Sequence, residues 1–79
     1  MIYELKPTDG RASFYGKATV DVTNEGETLY SYGTKILTRT KDGKLIKHWS
    51  DWTYTTGRHI KEFCGLNKKE FEALDNEDN

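Results

Sequence analysis

Seventy-nine residues, 34% of them hydrophobic and 32% charged, with a net charge of −1, allow one domain at most. The total charge argues against a generic polyanion binder, the ten aromatics against a disordered chain, and the absence of any run near ~20 apolar residues against a membrane-spanning helix. A chain this short hides a smaller fraction of its surface than a large domain does, so an association with a protein partner, or a homodimer, is expected from length alone.

No basic start leads into an apolar stretch of signal-peptide length, and the single cysteine, Cys64, forms no internal disulfide. Both features agree with a soluble, cytoplasmic protein.

In chain order, "IYEL" (Ile2 to Leu5) predicts a short opening strand ended by Pro7 and the turn-forming "TDGR". "ASFYG" (Ala12 to Gly16) fits neither strand nor loop cleanly. "KATVDVTN" alternates, with Ala18, Val20 and Val22 on one face and Lys17, Thr19, Asp21 and Thr23 on the other, which is the period of a half-buried strand. "NEGE" supplies a turn and "TLYSYGTKILTRT" one or two further strands. "KDGK" is a hairpin signal because Asp-Gly takes the positive φ values of tight turns, and "KLIKHW" is its return strand.

Beyond "TYTT", Ile60, Phe63 and Cys64 recur at helical spacing up to a break at Gly65. Asn67 and Glu70 are spaced to cap a second short helix reciprocally, with Phe71 and Leu74 on one side. The expected fold is α+β: a three- to four-stranded antiparallel meander with one or two C-terminal helices packed on one face. Residues 1–74 form the domain and 75–79 an acidic tail.

Charge is unevenly placed. Lys35 to Lys69 carries nine Lys and Arg against three acids, and Glu70 to Asn79 five acids and no base. A solvated tail is the plain explanation; a tail that screens the basic middle is the sharper one.

Several chemistries drop out on spacing. "GRASFYGKA" has five residues between its glycines where a P-loop has four, and Ala18 follows the lysine where that loop needs Ser or Thr. His48, His59 and Cys64 show no i, i+4 or CxxC arrangement, so no metal and no cofactor is expected. Cys64 reads as core packing, and Ser13, Ser31 and Ser50 have no motif around them that marks a nucleophile. The chain is not expected to be an enzyme.

The informative stretch is "KHWSDWTYTTGRHIKEF". A helix that starts near Thr55 or Thr56 places Arg58 and His59 in its first turn, where partial positive charge favours acids. Thr55, Thr56, Arg58 and His59 are therefore the candidate site for a phosphate or carboxylate. The plainer account is that Arg58 pairs with Glu62 or Asp51 and that His59 fills a gap at the sheet edge. Trp49 is expected to pack with Leu45. Trp52 is expected to be exposed, and Trp52, Tyr54, Lys47 and Arg39 are the candidate contacts for a partner.

Three blocks, "LKPTDGRASFYGKA", "LYSYGT" and "TTGRHIKEF", together resemble a family of short uncharacterised proteins from Gram-positive bacteria, their phages and plasmids. Gly33 departs from the more usual Tyr-Asp-Thr of the middle block. The resemblance implies a small accessory protein and brings no activity or catalytic residues. The function expected is a non-enzymatic protein-interaction module. The alternative is nucleic-acid binding, in which Lys35, Arg39, Lys41, Lys44, Lys47 and Arg58 meet phosphates.

Overall fold

The computed structural model describes residues 1–6 and 16–76. Five strands run antiparallel and lie in the sheet in chain order: β1 (Ile2–Glu4), β2 (Ala18–Thr23), β3 (Gly26–Ser31), β4 (Thr34–Thr40) and β5 (Leu45–Lys47). Two helices follow, α1 (Tyr54–Cys64) and α2 (Lys68–Glu72), and a two-residue strand β6 (Asp75–Asn76) closes the order. β6 runs parallel to β5, so the chain has to cross over between them, and the helices form that crossover. The α+β class is as expected; the meander has five strands rather than three or four.

The difference lies in one turn. "TLYSYGTKILTRT" folds into two strands because Tyr32 and Gly33 both take positive φ (54° and 78°) between the paired Ser31 and Thr34, the geometry of a type I′ hairpin. The "KDGK" hairpin forms with a different loop from the tight Asp-Gly turn expected. Thr40 N–H donates to Lys44 O (2.8 Å) and Gly43 N–H to Thr40 O (3.0 Å), giving a three-residue loop in which only Gly43 has positive φ. At the β2–β3 turn a side chain on Gly26 would run into the carbonyl of Arg39 on β4, so the strands can close here only around glycine.

Ala18, Val20 and Leu29 are buried beneath the helices, as the alternation of β2 requires. β4 departs from alternation. Its register with β3 shifts at Leu29/Tyr30, an irregularity that leaves Ile36 as the extra residue and lets both Ile36 and Leu37 enter the core. Ile60 and Phe63 of α1 and Phe71 of α2 complete the buried cluster, with Leu45, Trp49, Trp52 and Cys64 packed around it.

Helix α1 begins earlier than expected. Thr53, not Thr55 or Thr56, is the N-cap, and its side chain accepts from Thr56 N–H at 3.1 Å. Arg58 and His59 are thereby moved into the second turn, and the clash between cations and the positive helix end that the sequence suggested is eased. Gly65, with φ 79°, ends the helix in the left-handed conformation. α2 carries the expected reciprocal cap, Glu70 N–H to Asn67 Oδ1 (2.8 Å) and Asn67 N–H to Glu70 Oε1 (3.0 Å). Asp75 and Asn76, assigned to the tail from sequence, form β6. The expected turn after Pro7 and nearly all of the Ala12 to Gly16 stretch lie outside the described residues, as does the remainder of the tail.

Candidate interaction site

Where β3 ends beneath the first half of α1, three polar side chains meet in the interior. Ser31 Oγ lies 2.8 Å from His59 Nδ1 and 3.3 Å from Thr56 Oγ1, and all three residues are buried. Burial, and next to it the positive charge of Arg58, hold the His59 imidazole below its ordinary pKa of 6.5, so it is neutral near pH 7. Among the described residues every buried side-chain nitrogen and oxygen has a hydrogen-bond partner. The cluster is a satisfied internal network of the kind that fixes one packing arrangement.

The Ser31–His59 spacing is that of a nucleophile and its base. Here, however, His59 is only 1% exposed, and the pair is closed to substrate.

Above this floor stands Tyr32. Its ring packs against His59 with centroids 5.9 Å apart, and the residue is 59% exposed. It is also the one non-glycine with positive φ among the described residues. Asn or Gly fills that turn position at little cost, whereas an aromatic there stores strain of roughly 1–2 kcal/mol. With about 3.6 residues per turn, Thr55 lies one turn before His59 on the flank that Tyr32 approaches. Arg58 lies one turn after Tyr54 on the outer face, where Tyr54 is 75% exposed.

Of the residues proposed to hold an anion, Thr56 and His59 turn inward to Ser31, while Thr55 and Arg58 are partly exposed. The four do not converge on one point in solvent. Of the residues proposed for a partner, Tyr54 alone is fully presented. Trp52, expected to be exposed, is half-buried: its ring packs on Phe71 (5.7 Å) and lies so close over Gly57 that a Cβ there would sit 2.5 Å from Cζ2. Glycine at position 57 makes room for the indole, a constraint invisible at the level of motifs.

Lys47 is buried, donates from Nζ to Glu72 O (2.9 Å) at the end of α2, and lies over the Phe71 ring. Arg39 pairs with Glu27 (2.9 Å), donates to Phe63 O (3.1 Å) and covers the Phe63 ring at 4.6 Å. These two cations hold the helices to the sheet. The Glu27–Arg39 pair also lines an open groove of about 410 Å³ between the β2–β3 and β4–β5 turns. Cys64 Sγ lies 3.5 Å from Ile60 O, and burial pushes its thiol pKa up, away from the reactive thiolate.

Among the described residues no group of three or more His, Cys, Asp or Glu comes together as a metal site, and no helix is long and apolar enough to cross a membrane. Fold and site together define a small α+β domain with an aromatic surface braced on a buried polar floor. The chain belongs to DUF8033, a family of unknown function whose model matches residues 3–78. No curated protein and no solved structure matches the chain significantly.

Proposed function

We propose that the domain is a non-enzymatic protein-interaction module and that it binds through the end formed by the β3–β4 turn and the outer flank of α1, with Tyr32 and Tyr54 as anchors and Arg58 between them. The observation that carries this reading is Tyr32: an exposed aromatic held in a left-handed conformation, over a histidine fixed from below. Local rules broken at a cost in stability concentrate at functional positions. Tyrosine and arginine are the side chains that most often dominate binding energy at protein interfaces.

Nucleic-acid binding is the weaker reading, since Lys47 is buried against the end of α2 and Arg39 is paired with Glu27. The setting implied by the three sequence blocks, a cytoplasmic accessory protein of phages and plasmids, suits an interaction module. The test is capture from lysate at near-physiological salt with the parent protein and a Y32A/Y54A variant whose fold is verified by circular dichroism. A discrete partner retained by the parent and lost by the variant supports the reading. Retention by both moves the interface elsewhere on the domain, and salt-sensitive retention of DNA or RNA by the parent favours the alternative.

A further inference from the structure

The groove between the β2–β3 and β4–β5 turns lies at the end of the sheet away from Tyr32 and is independent of it. Its volume, about 410 Å³, is that of a small-molecule site. Val22, Glu27 and Arg39 stand directly opposite one another across β2, β3 and β4, one row beyond Val20, Leu29 and Leu37. By alternation that row faces the helical side of the sheet. α1 does not reach over it: Phe63, near the end of that helix, packs under Arg39, and Gly65 then turns the chain away. The lining therefore comes from strands and turns.

Three charged side chains line the groove, and they do not cancel. Glu27 Oε1 accepts from both Nε (3.3 Å) and Nη2 (2.9 Å) of Arg39, so this acid is matched by this base. Arg39 Nη1 donates to Phe63 O (3.1 Å). A guanidinium has five N–H bonds, and these contacts use three of them; the other two have no acceptor among the described residues. Lys41 is exposed and has no acidic partner among the described residues. Asp42, next to it in the turn, is held instead by Thr40 Oγ1, Lys44 N–H and the charge of Lys44. Glu25 and Asp42 sit at the tips of the two turns and are not part of the lining. One positive charge is left over in the groove.

We propose that this groove binds a small carboxylate, one carboxyl group on a short apolar stem, carried by a free acid or by the last residue of a peptide. The single negative charge of a carboxylate matches the single positive charge left by the lining, and the spare N–H bonds of Arg39 with the Lys41 ammonium are the donors such a group takes. A phosphate monoester, at about −1.5 to −2, would overshoot that charge beside Glu27. Val22 supplies an apolar wall for the stem. Gly43 has open space where a side chain would stand, so the rim of the β4–β5 turn leaves the way in clear.

Amide NMR titration of the full chain at a constant ionic strength of about 0.1 M tests this, with N-acetylalanine, its carboxamide, butyrate and inorganic phosphate as probes. The amides of Gly26, Lys41 and Gly43 and the Arg39 Nε–H should shift saturably with at least one of the two acids, with a midpoint of about 10 mM for ligands so small. The carboxamide and phosphate should bind about tenfold more weakly. Tighter binding of N-acetylalanine assigns the carboxylate to a peptide end, and tighter binding of butyrate to a free acid. K41E should weaken the acid about fivefold, whereas K35E, the same change of net charge at the far end of β4, should stay within about twofold of the parent. No shift at these residues up to about 100 mM acid, a carboxamide or phosphate that binds as the acid does, or equal effects of K41E and K35E would each overturn the proposal.

Discussion

Tyr32 is the residue whose energetics are most unusual. Its left-handed φ costs about as much as its ring contact with His59 returns, so Y32N, which suits the turn, should leave the unfolding free energy within about 0.5 kcal/mol of the parent. Urea titration checks this, and a loss well beyond that value would mean that the tyrosine is kept for stability. His59 makes a pH prediction. Its folded pKa is depressed, so the unfolded chain takes up the proton first. The corresponding stability is fully present above the ordinary value of 6.5 and is lost as the pH falls from there through the folded pKa. Melting curves from about pH 7 down to about pH 5 should show the midpoint falling more steeply in the parent than in H59N, which lacks that imidazole. Little of this was legible in the sequence. "TTGRHI" marked His59 as unusual, but that it faces inward depends on Ser31, distant in the chain and brought near only by the sheet.

Among the elements, α1 shows what local signals can and cannot decide. Thr53, Thr55 and Thr56 are equally good caps by chemistry. Thr53 is the one used because Thr56 is drawn to Ser31 and Gly57 must lie under the Trp52 ring. Substituting G57A tests that packing directly. Alanine improves helix propensity by just under about 1 kcal/mol, yet overpacking against an indole pinned on Phe71 costs roughly 1–3 kcal/mol. A net loss of about 1 kcal/mol in chemical denaturation is expected, and a gain would show that Trp52 can move aside. The start of α2 was readable because its cap is local, while the helix ends at Glu72 and leaves Leu74 beyond it. N67A should lose about 1 kcal/mol in the same assay. The five-strand count was obscured by the Tyr32–Gly33 turn, which lacks the asparagine or aspartate that usually announces it. β6 could not be foreseen, since two residues of low strand propensity pair with β5 only after the helices have crossed the sheet.

At the scale of the whole molecule, the basic middle seen in the sequence is divided by the fold. Lys47 and Arg39 hold the helices to the sheet, while Lys35, Lys41 and Lys44 remain at the surface. The net charge of −1 argues against a generic polyanion binder. What the fold presents instead is one end where aromatics stand on a fully bonded interior. Site-specific photo-crosslinking in cells of the source organism tests that account most directly. A photoreactive phenylalanine analogue is placed in turn at Tyr54, at Tyr32 and, as a control on the sheet face away from the helices, at Thr19. Position-specific adducts with the same protein from Tyr54 and Tyr32, and none from Thr19, are the predicted result. Adducts from Thr19 alone, or none from either tyrosine while the partner still co-purifies, would contradict it.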